Sequence, residues 1–171
     1  MGIPDGMLET LKKVSEVCTS HNLRYCLAGG LAVGVIAAPR ATEDIDITLL
    51  MEISELPRLK KILSAAFDIV QFNEKRLEFA DTSIQRVVIR GKGENIIILD
   101  ILLPVHPIYR SAVENAIPIT IDGIVIYVSR PEDLILMKSL SSRPQDIADI
   151  ESIRRECTGL DEAYIKNNLP H

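Results

Sequence analysis

The sequence predicts an α/β (α+β) fold, a mixed β-sheet flanked by helices and followed by a helical C-terminal lobe. Three observations carry this reading. Apolar or alternating runs of strand length recur at residues 44–51, 83–90 and 95–103. The stretch IPITIDGIVIYV alternates isoleucines on either side of Asp122-Gly123, which signals a β-hairpin. From Pro131 onward the pattern changes to helices.

The elements follow in order. Met7, Leu11, Val14 and Cys18 recur at helical spacing, so residues 5–20 read as an amphipathic helix. Residues 24–28 form a short strand, Gly29-Gly30 turn the chain, and residues 31–37 form a short helix that stops before Pro39. Residues 44–51 are a strand. Residues 54–67 are a helix with Ser54 as its N-cap. Residues 69–72 and 83–90 are strands joined by a polar loop, and Gly91-Lys92-Gly93 turns into the strong strand 95–103. Pro104 and Pro107 break the chain before a short helix at 109–115, with His106 a loop residue between them. After the hairpin, PEDLILMKSL opens with Pro near a helix N-terminus, and PQDIADIESIRRE and DEAYIKNNL supply two more helices. The sheet is expected to carry its helices on one side. No Gly- or Ser-rich linker divides the chain, so residues 1–171 read as one domain, a core to about 129 and a helical lobe from about 130.

Composition bounds the function. Aromatics are 4% with no Trp, so the core is expected to be aliphatic. A net charge of −5 gives no global attraction to nucleic acid or to an anionic membrane, so a nucleic-acid substrate would need a local patch. Cys18, Cys26 and Cys157 are odd in number and scattered, which argues against a disulfide framework or a zinc site and suits a reducing cytoplasm. The N-terminus shows no basic segment followed by an apolar one, and no apolar run has the length of a bilayer span. The expectation is a cytoplasmic protein with no membrane partner.

The chemistry centres on aspartates. In a strand, Asp44 and Asp46 project from one face, about 6.5–7 Å apart along the backbone, while Ile45 and Ile47 point to the other. Two adjacent carboxylates repel, and a divalent cation such as Mg²⁺, which favours oxygen ligands, offsets that repulsion. A solvent-facing acidic edge is the plainer explanation of Asp-Ile-Asp alone. Asp100 adds a third carboxylate, the one charge in the run IIILDILL. A buried carboxylate requires a partner, an arginine or a metal. Beside the first pair it would complete a two-metal site. Gly29-Gly30, between a strand and a helix, lets backbone approach a phosphate at a helix N-terminus.

Together these residues resemble the nucleotidyltransferases of the DNA polymerase β superfamily. The family pattern of paired small residues, a spacer, an acid–apolar–acid strand and a later acid is met by Gly29-Gly30, Asp44-Ile45-Asp46 and Asp100. The form AGGLAV…PRATEDIDI, with RPEDLILMKSL…RPQDIADI, is similar to the minimal bacterial and archaeal branch that includes abortive-infection toxins. That branch tends to carry a Lys on one helix and an Asp on the next, which match Lys138 and Asp146, with Asp149 a rival for the latter. Gly30 stands where many members have Ser. The resemblance implies transfer of a nucleoside monophosphate from an NTP to a hydroxyl. It implies two Mg²⁺ ions, or Mn²⁺, held by Asp44, Asp46 and Asp100, with Asp100 on the acceptor-side ion alone. Gly29, Gly30, Arg40, Thr42 and Lys138 would face the nucleotide.

Each of these has a plainer reading. Arg40 contacts phosphate, braces Asp44, or lies in solvent. Thr42 fits a local turn. Lys138 is the polar stripe of an amphipathic helix. Asp146 serves its own helix N-terminus, and Asp149 is structural. The acceptor is left open among tRNA or another RNA, a partner protein and a small molecule, with a toxin–antitoxin setting implied by the resemblance. Two other classes compete: a catalytically silent nucleotide- or partner-binding module on the same fold, and a sugar transferase using Asp-x-Asp, which leaves the glycines and Asp100 unexplained.

Overall fold

The computed structural model describes residues 3–91 and 95–170. Helix α1 (Asp5–Ser20) buries Met7, Leu11, Val14 and Cys18, the stripe its spacing predicts. Strand β1 (Tyr25–Ala28) passes directly into α2 (Gly29–Ile36). The turn between them is made at Gly29, whose φ of +61° is a conformation that favours glycine. Strand β2 (Asp44–Leu49) buries Ile45, Ile47 and Leu49 and leaves Asp44 and Asp46 partly exposed.

Ser54 is not an N-cap. It lies inside a 3₁₀ turn, Ile53–Glu55, that precedes α3 (Leu56–Ala66). The Glu52 and Glu55 side chains form a reciprocal capping box there, with Glu55 accepting the Glu52 backbone N–H at 3.2 Å. Two carboxylates thus take the orphan donors that a single hydroxyl was expected to take.

Strands β3 (Asp68–Phe72) and β5 (Thr82–Arg90) are joined by a segment that contains a further two-residue strand, β4 (Leu77–Glu78), where a loop is expected. The Lys92-Gly93 part of the expected turn lies outside the described residues. Strand β6 (Ile96–Pro104) is followed by α4 (Pro107–Glu114), which starts at its proline. His106 is the N-cap of α4: its Nδ1 accepts the Ile108 N–H at 3.2 Å. The hairpin of β7 (Ile117–Ile121) and β8 (Ile124–Val128) turns at Asp122 and Gly123, both with positive φ, as a type I′ turn demands. Helices α5 (Pro131–Ser139), α6 (Pro144–Glu156) and α7 (Glu162–Asn168) complete the chain.

The strands form one eight-stranded mixed sheet in the order β3-β5-β6-β2-β1-β8-β7, with β4 paired to β5. Pairs β2/β6 and β1/β8 are parallel, and the other pairs are antiparallel. One hydrophobic cluster runs from Met7 to Ile165, dominated by Leu, Ile and Val. The registers position the site. Ala28 lies opposite Asp46, Asp46 opposite Asp100, and Asp100 opposite Arg86. Directly paired residues share a face, so one row across four strands brings these side chains together.

Candidate active site

Strand β2 projects Asp44 and Asp46 to the same face because their sequence separation matches the strand repeat. The parallel register with β6 adds Asp100. Ligand oxygens of Asp44, Asp46 and Asp100 all lie within 4.8 Å of one another. Each acid is held by a different neighbour. Thr42 Oγ1 donates to Asp44 Oδ1 at 3.1 Å. Asp46 lies against Gly29, where any Cβ would collide with its carboxylate. Asp100, only 4% exposed, accepts from Arg86 Nε at 2.8 Å and Nη2 at 2.6 Å.

The electrostatics of the cluster record crowding. Burial pushes the Asp46 carboxyl up to about 7, the charges of Asp44 and Asp100 push in the same direction, and Lys138 and Arg143 oppose them. Three carboxylates this close present a set of hard oxygen donors, of which Asp100 alone has a directly bonded cationic side chain. That donor set fits Mg²⁺ or Mn²⁺ rather than a thiophilic metal.

The second glycine serves a different partner. A Cβ on Gly30 would strike the Arg40 guanidinium, so Gly30 lets Arg40 lie against the start of α2. Arg40 then reaches Asp149, with Nε 3.5 Å from Oδ1. Thr42, not Arg40, is the residue that braces Asp44. Lys138 is 7% exposed, which overturns the reading of it as a solvent-facing polar stripe. Its Nζ stands 3.2 Å from Asp146 Oδ1 and 2.6 Å from Asp149 Oδ2. Asp146 also accepts from Arg143 Nε at 2.6 Å. Burial raises the Asp146 carboxyl, yet its bonds to Arg143 and Lys138 prevail and hold it below the ordinary carboxylate value. Asp146 and Asp149 therefore both serve Lys138.

Beside the triad lies a cleft of about 450 Å³. Its floor and walls include Ile84, Leu102, Tyr109, Leu134 and Met137, and Gly29, Lys138 and Arg143 mark its polar end. Tyr109 is fixed by donating to Asp81 Oδ2 at 2.8 Å. The volume and the apolar walls with convergent polar groups suit a small molecule or one moiety of a larger one. Arg86, Arg143 and Tyr109 are the residues that sequence reasoning does not single out. Arg86 carried no signal of its own there, being one of two arginines in the strand Thr82–Arg90. Its partner becomes apparent only with the β5/β6 register.

Residues 108–155 match the model of a family described as nucleotidyltransferases of unknown function (DUF6036). The match spans most of α4, the hairpin, α5 and nearly all of α6, and does not include the three aspartates. No curated protein matches the chain in sequence. Solved structures do match in shape. An antigenic nucleotidyltransferase-like protein from Paracoccidioides brasiliensis aligns at a TM-score of 0.58 with 19% identity, over 87% of this chain and 75% of that one. The antibiotic-resistance factor ANT(2″)-Ia aligns at 0.55 with 17% identity, over 96% and 90%. The lincosamide antibiotic adenylyltransferase LnuA, lincomycin-bound, aligns at 0.51 with 16% identity, over 85% and 95%. At these identities the likeness is one of fold.

Proposed function

We propose that this chain, whose fold is that of the polymerase β-like nucleotidyltransferases, transfers a nucleoside monophosphate from an NTP to an acceptor hydroxyl and releases pyrophosphate. The observation that carries the reading is the meeting of Asp44, Asp46 and Asp100 within 4.8 Å, with Asp46 against Gly29. Mg²⁺ or Mn²⁺ bound there would neutralise phosphate charge and lower the pKa of the attacking hydroxyl.

The chain's own residues have distinct tasks. Asp44, oriented by Thr42, and Asp46, seated against Gly29, form the nucleotide-side half of the cluster. Gly29 and Gly30 bring backbone at the start of α2 close to the triphosphate. Lys138 Nζ donates to Asp146 and is ion-paired with Asp149 Oδ2 at 2.6 Å, and a remaining proton would turn to a phosphate oxygen. Arg40 holds the loop into β2 against α2 and α6. Asp100 is the acceptor-side carboxylate and orients the hydroxyl. That hydroxyl's oxygen attacks the α-phosphorus, its proton passes to the Asp100 carboxylate and on to water, and the bond to pyrophosphate breaks in line.

The cleft beside the triad receives the nucleoside or a small acceptor. ANT(2″)-Ia has been solved with adenylyl-2″-tobramycin and LnuA with lincomycin, so this fold accommodates small hydroxyl-bearing acceptors, while an RNA or protein acceptor would bring its own surface. The free, buried Cys18 and Cys26, whose thiols burial pushes up to about 12, suit a reducing cytoplasm. A toxin–antitoxin setting rests on the sequence resemblance, and inducible expression in a bacterial host tests it by growth arrest that Asp46→Asn abolishes.

The central experiment incubates the protein with each α-labelled NTP and cell extract, with and without Mg²⁺. Label is expected to move to an acceptor only with the metal, and Asp46→Asn is expected to reduce the rate at least about a thousandfold. Undiminished transfer by Asp46→Asn would remove this site from the reaction. One observation favours a second reading, a silent nucleotide-binding module: both oxygens of Asp100 are already engaged by Arg86. Nucleotide binding without transfer to any extract component would select it.

A further inference from the structure

We propose that Asp81 reads the nucleobase: the cleft beside the aspartates takes a base that turns N–H donors toward this carboxylate, guanine best of all, and disfavours uracil. The proposal rests on the nucleotidyltransferase reading and deepens it, because it names the nucleotide that reading leaves open.

The cleft continues from the acids. Ile84 and Leu102 are opposite each other in the β5/β6 register, one strand repeat along from Arg86 and Asp100, so they lie on the same face of the sheet. They line the cleft together with Phe79 and Tyr109, and Gly29 and Lys138 stand at its polar end. A nucleotide gripped by its phosphates at that end has the apolar part of the cleft left for its base. Apolar and aromatic walls take any base by its face and discriminate weakly between bases.

Asp81 is the exception in those walls. It is half-buried and lies between β4 and β5, two residues after Phe79. The turn around it is tied down. The Phe79 N–H donates to the Thr82 carbonyl at 2.8 Å, and the His106 N–H donates to the Asp81 carbonyl at 2.8 Å. The Tyr109 hydroxyl donates to Asp81 Oδ2 at 2.8 Å, so the carboxylate is oriented before any ligand arrives. The other charged groups of the cleft neutralise one another, since Lys138 and Arg143 both pair with Asp146. Asp81 makes no ion pair among the described residues, and its side-chain partner is a neutral phenol that leaves Oδ1 open.

An ionised carboxylate can only accept, through two oxygens with two lone pairs each. Guanine offers adjacent donors, N1–H and the 2-amino group, that match both oxygens, and Tyr109 occupies only one lone pair of Oδ2. Adenine and cytosine each offer an amino group beside a ring nitrogen that accepts. Uracil offers one N–H between two carbonyl oxygens, so the second carboxylate oxygen faces another acceptor. Among apolar walls that mismatch is costly. The expected order is GTP, then ATP and CTP, then UTP.

The test compares bases. The α,β-methylene analogues of the four NTPs are titrated into the full chain with Mg²⁺ by isothermal titration calorimetry. The wild type is expected to bind the guanine analogue at least about tenfold more tightly than the uracil analogue. Asp81→Asn keeps the shape and can still accept from Tyr109, but it turns an amide NH₂ to the cleft. It is expected to weaken the guanine analogue about tenfold or more and to tighten the uracil analogue, a gain that a damaged fold does not produce. Tyr109→Phe keeps the ring and releases the carboxylate, and serves where Asp81→Asn does not fold. It is expected to narrow the gap between guanine and uracil. Equal affinities for all four analogues, a preference for uracil, or a gap that neither variant changes overturns the role of Asp81 and leaves the nucleotidyltransferase reading standing. Binding of no analogue by the wild type removes that reading, and the proposal with it.

Discussion

Asp46 shows at the scale of one residue how a crowded carboxylate opposes stability. Its carboxyl is pushed up to about 7 from an ordinary value of 3.8, because it is largely buried and lies beside two other acids. Between those two values the folded state binds more protons than the unfolded state. Stability from this group is therefore full at low pH, declines as pH rises through that window, and is lost above about 7. Asp46→Asn removes the penalty and keeps the shape. The metal-free variant is expected to be more stable than the wild type by on the order of 2 kcal/mol at pH 8, with no gain at pH 4. Urea titrations of both proteins at the two pH values check this. A variant less stable at pH 8 would mean that the aspartate is not crowded in solution. The same substitution is expected to abolish transfer, so the more stable protein is the inactive one.

At the scale of elements, the joint between α5 and α6 depends on a buried charge cluster. Lys138 on α5 holds Asp146 and Asp149 on α6, and all three are nearly inaccessible. Removing one partner of a buried pair leaves a charge uncompensated, so Lys138→Ala is expected to cost about 3 kcal/mol in urea unfolding. The double variant with Asp149→Asn is expected to recover part of that loss, since the acid left with only the longer 3.5 Å Arg40 contact is then neutral. Additive losses would show that the ammonium does not act through Asp149. This joint also marks how far the sequence can be read. Asp44 and Asp46 are legible because a strand's repeat of two dictates that they share a face, and Asp100 because one charge interrupts an apolar strand. Lys138 looks like a polar stripe because its burial is decided by another helix that packs over it. Arg86 and Asp100 are fourteen residues apart, and only the β5/β6 register makes them neighbours. Ser54 is the customary cap residue, yet the chain enters α3 through a 3₁₀ turn, and two glutamates do the capping. Strand β4 is two residues long with both side chains exposed, so no alternation announces it.

For the whole molecule, a divalent cation at the proposed site would make stability depend on the ion and on pH together. A ligand that binds only the folded state raises stability by RT ln(1 + [L]/Kd), about 2.7 kcal/mol at a hundredfold excess over Kd. In a chain of this size that corresponds to a rise in Tm of roughly 5–10 °C. The ion favours the ionised form of Asp46, so binding expels the proton that Asp46 carries below about 7. Mg²⁺ or Mn²⁺ is therefore expected to raise Tm more at pH 8 than at pH 6, and EDTA to reverse the rise at both. Added NTP is expected to enlarge the shift only when the ion is present, because the phosphates would complete the coordination that the aspartates begin. Differential scanning calorimetry at the two pH values, with Asp46→Asn as control, separates this from non-specific salt effects, which would raise Tm equally in both proteins. A Tm that neither ion moves at pH 8 would mean that the three aspartates tolerate their mutual repulsion without a metal, and that the site is not a nucleotidyl-transfer centre.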